Sequence, residues 1–154
     1  MAESRLSVLF LCTGNSARSQ MAEAILRHLS HDQVDVESAG TAPQPDIHPM
    51  ARWAVKTLLH LDMAGQYPKT LDRFLYRDFD YVITVCDRAA ESCPVFPGDP
   101  ERIHWNFEDP AAAVGSDDQQ RAFDSTAKQL ISRIRLWLSL PEISKRIQPD
   151  LARP

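Results

Sequence analysis

At 154 residues, with 44% apolar and 25% charged side chains, the chain has the composition of one soluble globular domain, which excludes disordered, fibrous and two-domain readings. A formal net charge of -4 excludes a general attraction to nucleic acid or to an anionic membrane, so any anion site has to be local. The strongly apolar run Val8 to Leu11 is far shorter than the roughly 18 residues of a membrane span, no other segment approaches that length, and a cytoplasmic location is expected.

Leu6 to Leu11 is apolar without alternation, the mark of a strand buried on both faces of a parallel sheet. From Ser19, the apolar positions Met21, Ala22, Ile25, Leu26 and Leu29 recur at helical spacing, with polar Gln20, Glu23, Arg27 and His28 between them. Val34 to Ala39 reads as a second strand, closed by Gly40 and a loop holding Pro43, Pro45 and Pro49. A second helical stripe runs from Ala51 to Leu59, and Leu71, Phe74 and Leu75 suggest a shorter helix capped by Thr70. Tyr81 to Val85 is a β-branched third strand, and Ile103 to Trp105 a brief fourth before the turn at Glu108-Asp109-Pro110. Phe123, Ala127, Leu130, Ile131, Ile134 and Leu138 mark one face of a last helix that Pro141 stops. The expectation is a three-layer α/β fold: a small four-stranded, mainly parallel sheet flanked by helices, in one catalytic domain over residues 1–140, with a polar tail at 141–154. Ligands of such sheets bind beyond the carboxyl ends of the strands, where Cys12, Cys86 and Asp109 fall.

The segment Cys12-Thr13-Gly14-Asn15-Ser16-Ala17-Arg18-Ser19 joins the first strand to the first helix. Gly14 and Asn15 tolerate the positive φ that lets successive N–H groups converge on an oxyanion, and the helix that follows adds the positive end of its dipole. The Arg18 fork can hold two oxygens, and these positive groups are expected to lower the pKa of Cys12 and make it a nucleophile. The competing reading makes Cys12 a small buried apolar residue and Arg18 a solvated cap. The chain has three cysteines, Cys12, Cys86 and Cys93, an odd number that argues against a disulfide framework, and their spacing lacks a structural zinc pattern.

This C-x5-R-S loop, with Val8-Leu9-Phe10-Leu11 before it, resembles that of the low-molecular-weight tyrosine phosphatase superfamily. Within that superfamily, Gln20-Met21-Ala22-Glu23 after the loop and Glu108-Asp109-Pro110-Ala111, in place of Asp-Pro-Tyr, look like the thioredoxin-coupled arsenate reductases. So do Thr84-Val85-Cys86 with Cys93-Pro94, and the segment from His104 to Pro110. The resemblance spans residues 6 to 138, and Ala17 departs from relatives with cysteine or glycine there.

The resemblance implies reduction of arsenate to arsenite without a tightly bound cofactor or metal. Cys12 would attack arsenic held by the loop from Thr13 to Ser19, including Arg18, with phosphate or sulfate as competing oxyanions. Asp109 would protonate the departing oxygen. Cys86 would then attack Cys12, Cys93 would attack Cys86, and thioredoxin would reduce the final Cys86–Cys93 disulfide. If residues 87–92 are helical, the two cysteines lie about 10.5 Å apart along the axis, and a bridge between Cα atoms at about 4.4 to 6.8 Å requires that helix to unwind. Asn15, Glu23, Ser38 and Asp72 resemble positions that support the loop and in some relatives bind a monovalent cation; capping or solvated roles stay open for them. A monomer is expected. The main rival is a tyrosine phosphatase, which uses Cys12, Arg18 and Asp109 but neither Cys86 nor Cys93; a phosphocarrier subunit or an oxyanion sensor accounts for less of the pattern.

Overall fold

The computed structural model describes residues 5–147. Four parallel strands, β1 (Ser7–Cys12), β2 (Asp35–Gly40), β3 (Tyr81–Thr84) and β4 (Glu101–His104), lie in the order β2-β1-β3-β4. The helices are α1 (Arg18–Leu29), α2 (Pro49–Leu59), α3 (Asp87–Glu91), α4 (Ser116–Leu138) and α5 (Pro141–Ser144), with 3-10 turns at Leu71–Phe74 and Pro110–Ala112. The small parallel sheet flanked by helices is the fold the alternation of elements implied. Because β1 pairs on both sides, Val8, Leu9, Phe10 and Leu11 are fully buried, which explains an apolar run without alternation.

Chain order reverses between β1 and β3, so connections leave the sheet in opposite directions there and open a crevice at the carboxyl ends of those two strands. Cys12 ends β1, and Cys86 follows β3 by two residues. Topology alone therefore brings the first two thiols to one place. Gly40, at the end of β2, lets the loop after Cys12 approach: a Cβ there would stand 2.5 Å from the Thr13 carbonyl oxygen.

Several boundaries differ from the sequence reading. The fourth strand is Glu101–His104, earlier than Ile103 to Trp105, because Tyr81 pairs with Glu101 and Thr84 with His104. Trp105 still donates its N–H to the Thr84 carbonyl, and its ring leaves the strand to pack near Phe10. The expected polar face of α1 fails at Gln20 and Glu23, which are 0% and 3% exposed. Thr70 does cap the Leu71 turn, which closes as 3-10 and not α. Pro141 ends α4 but opens α5 at its first position, where the missing N–H is no loss. The tail expected from residue 141 is thus packed in its first part: Ile143 and Ile147 are buried, while 148–154 lie outside the described residues. No described helix is long and apolar enough to cross a membrane.

Candidate active site

The loop after β1 takes its shape from the segment between β2 and α2. Thr41, Ala42, Gln44 and His48 donate backbone N–H groups to the carbonyls of Cys12, Thr13, Gly14 and Ser16 at 2.9 to 3.3 Å. With those carbonyls drawn outward, planar trans peptides turn the N–H groups of Thr13, Gly14, Asn15 and Ala17 the opposite way. The result is a concave set of donors. Thr13, Gly14, Ser16 and Ala17 line a cavity of about 360 Å³ together with Cys12, Arg18, Gln44, His48 and Asp109, whereas Asn15 and Ser19 are fully buried behind it.

Asn15 supplies the one left-handed residue of the turn, at φ 46°; Gly14, expected to share that task, has no positive φ. Its side chain explains why asparagine stands there. Oδ1 accepts from the Lys69 backbone N–H at 2.8 Å and from Gln20 Nε2 at 3.0 Å, which leaves Nδ2 to donate to Ser19 Oγ at 2.8 Å and Ser38 Oγ at 2.9 Å. The Lys69 N–H can only donate, so the direction of the whole chain follows from it. Ser19 accepts from Asn15 and turns its own hydrogen to Cys12 Sγ at 2.8 Å; the Asn15 N–H reaches the same sulfur at 3.2 Å.

Cys12 is therefore an acceptor of hydrogen bonds, the arrangement a thiolate needs. Burial nevertheless pushes its thiol up from the ordinary value, against the downward pull of the Ser19 hydroxyl, the Ser19 and Asn15 N–H groups and the Arg18 charge. This corrects the expectation of a lowered pKa. Cys12 is 3% exposed, and the loss of water around its thiol outweighs the donors.

Arg18 is fastened from the far side of the crevice. Its Nη1 donates to the Phe107 carbonyl at 2.9 Å, and its Nη2 lies 3.9 Å from Asp109 Oδ2. One arm of the fork is thus committed to protein, and a bound oxyanion has the other arm to share with Asp109. Asp109 accepts from the Ala111 N–H at 3.0 Å, so it caps its turn and lines the cavity at once.

Cys86 caps α3, its Sγ accepting from the Ala89 N–H, and lies 3.5 Å from Thr13 Oγ1 on the loop itself. Cys93 is half-buried beyond the end of α3, close to the Pro94 carbonyl; burial pushes its thiol up, with Arg102 opposing. All three thiols are free. The start of α3 is tied to β4 by His104, whose Nδ1 meets Thr84 Oγ1 at 2.8 Å and whose Nε2 meets Asp87 Oδ1 at 2.9 Å.

The four residues considered for a cation do not converge. Asn15, Ser38 and Glu23 form a hydrogen-bonded series, with Ser38 donating to Glu23 Oε1 at 2.6 Å. Glu23 is already neutralised by Arg27 at 2.8 Å and by the buried Lys69 ammonium at 3.7 Å. Asp72 is exposed and contributes its backbone N–H to Thr70. Among the described residues, no group of three or more histidine, cysteine or carboxylate side chains could hold a metal ion. Gln44, His48 and Lys69 were not singled out from sequence. The only local signal was His48 before Pro49, which marks a helix start but not a cavity wall.

The profile of the low molecular weight phosphotyrosine protein phosphatase family matches residues 7–149. An arsenate reductase of Halalkalibacterium halodurans is 40% identical over 141 residues, 92% of this chain and 91% of that one. Among solved structures, an arsenate reductase in the oxidised state superposes with a TM-score of 0.74 at 26% identity, over 91% of this chain and 98% of that one. A thioredoxin-dependent arsenate reductase of Corynebacterium glutamicum superposes with a TM-score of 0.63 at 30% identity, over 89% of this chain and 65% of that one. By the match along its length and by these relatives, the chain belongs to the low molecular weight phosphotyrosine protein phosphatase family.

Proposed function

We propose that the chain reduces arsenate to arsenite through a relay of Cys12, Cys86 and Cys93, with thioredoxin as the electron donor. The observation that carries this reading is the second thiol at the loop: Cys86 Sγ, 3.5 Å from Thr13 Oγ1, stands where a hydrolase needs nothing. The arsenate reductases among its relatives support the same reading.

Arsenate enters as a dianion, and the raised thiol of Cys12 hands it a proton as the loop N–H groups and Arg18 take up the charge. Cys12 sulfur attacks arsenic, an oxygen leaves as water with a proton from Asp109, and a Cys12–arsenic bond remains. Cys86 then attacks the Cys12 sulfur. The sulfur–arsenic bond breaks with its electron pair passing to arsenic, which departs as arsenite, and the two sulfurs form a disulfide. Cys93 attacks Cys86 and frees Cys12. The Cys86–Cys93 disulfide passes to thioredoxin, whose two electrons restore both thiols. One copy of the chain carries every group in this sequence, which supports action as a monomer, and three free thiols suit the reducing cytoplasm.

The test is arsenate-dependent NADPH oxidation with thioredoxin and thioredoxin reductase, in the unaltered protein and in Cys86→Ser and Cys93→Ser. Turnover should vanish in both variants, while slow hydrolysis of an aryl phosphate, which needs Cys12, Arg18 and Asp109 alone, should persist. Arsenate turnover that survives either substitution would sink the relay.

A further inference from the structure

The cavity beside Cys12 is lined by a residue that the relay leaves unused. His48 lines the same cavity as Cys12 and Arg18, and it caps α2. Its backbone N–H donates to the Ser16 carbonyl at 2.9 Å, so its position is tied to that of the loop. Its ring is held as well. Nδ1 accepts from the Met50 N–H at 3.1 Å, and one face stacks against Phe123 with centroids 4.6 Å apart. Phe123 is fully buried, so the ring has a rigid backing.

The Met50 N–H is a backbone donor and nothing else, which requires Nδ1 to be unprotonated and places the proton of the neutral imidazole on Nε2. That Nε2–H meets no partner among the described residues. We propose that His48 is an oxyanion-binding residue: its Nε2–H donates to an oxygen of the tetrahedral anion held in the loop from Cys12 to Arg18. This rests on the oxyanion reading of the loop. The physical case is that Arg18 gives one arm to the Phe107 carbonyl, so the only cationic side chain lining the cavity has less than its full fork for the anion. A pre-oriented N–H donor in the same cavity adds to the loop's donors without adding a second fixed charge, and it costs little to order because capping and stacking have already ordered it.

The substitution His48→Asn separates this role from the structural one. Asparagine keeps an acceptor for the Met50 N–H and so preserves the cap, but it is too short to present a donor where Nε2–H stands. Inorganic phosphate, which the loop binds but the relay cannot reduce, is the probe, titrated by calorimetry. The expected result is about a tenfold weaker phosphate Kd and a similarly raised KM for arsenate, with kcat and Tm little changed. A second measurement uses the unaltered protein: the ring nitrogen signals of His48 should report the Nε2–H tautomer, and the Nε2–H signal should shift on phosphate addition. If phosphate binds the unaltered protein, is lost in Arg18→Ala, and binds His48→Asn unchanged while the ring signals stay still, His48 is only a cap. If phosphate does not bind the unaltered protein, the oxyanion reading itself fails and takes this proposal with it.

Discussion

Ser19 shows how a residue with no chemistry of its own can set the reactivity of another. It relays the donor direction that begins at the Lys69 N–H and passes through Asn15, and its hydroxyl is the strongest group opposing the effect of burial on Cys12. The sign follows. A thiol pushed up by desolvation deprotonates only as the pH rises above the ordinary cysteine range, so the alkylation rate of Cys12 should climb through that alkaline window. Ser19→Ala removes a hydrogen bond to the charged form and should displace the profile toward higher pH. The check is Cys12-specific iodoacetamide labelling against pH, read peptide by peptide. A profile that stays in place, or moves toward acid, would mean that Ser19 does not stabilise the thiolate. Lys69 and Glu23 stand behind the same relay. Glu23 was singled out by resemblance as a support of the loop, but Lys69 was not legible, because a lysine in a polar stretch gives no sign that the fold will bury its ammonium beside a carboxylate on α1. Asn15 was legible in part: its tolerance of positive φ follows from its type, whereas its four side-chain bonds come from three separate parts of the chain.

α3 is the element on which the proposed relay depends. It holds Cys86 at its N-cap and releases the chain to Cys93 just beyond its end, so a bond between the two sulfurs is expected to require the helix to unwind. Its five residues are too few for independent helical stability, and the ties through His104 hold only its first turn, at Asp87. Oxidation should therefore melt it while β3 and β4 persist. Hydrogen exchange gives the check: amides from Ala89 to Ser92 should exchange at least tenfold faster in the oxidised protein, with the β3 amides unaffected. Equal protection in both states would show that the bridge forms without unwinding, or that it does not form. The sequence reading reached this helix through the spacing of its cysteines and missed its extent only at Ser92. It placed β1 and α1 equally well, since a continuous apolar run and a 3.6-residue period are local signals. β4 was displaced because its edge position buries little, and its register is decided by pairing with β3.

At the scale of the whole molecule, the clearest departure from the sequence reading is where the packed chain ends. Pro141 was read as the stop after which only a polar tail remains, yet α5 carries Ile143 to a fully buried site and Ile147 follows it. Two isoleucines four residues apart have helical spacing, but a single such pair among polar residues is too short a pattern to mark a helix. Their burial places them in the one continuous core that also includes Ile134 and Trp137 of α4. Trp137 in turn stacks edge-on against Tyr81 at the start of β3. This corner lies at the opposite end of β3 from Cys86, so its loss should lower stability without altering the thiol crevice. Ile143→Ala deletes a buried side chain of the kind whose removal costs about 2 to 4 kcal/mol, and in a domain of this size that corresponds to a fall in Tm of roughly 4 to 15 °C. Calorimetry would measure the fall, and arsenate turnover at 20 °C should remain within about twofold, well below the tenfold that 1.4 kcal/mol in a barrier would produce. A shift smaller than 2 °C would mean that α5 is a surface ornament and that the domain does end near residue 140. A large loss of activity in protein still folded at that temperature would mean instead that this corner is coupled to the thiol crevice along β3.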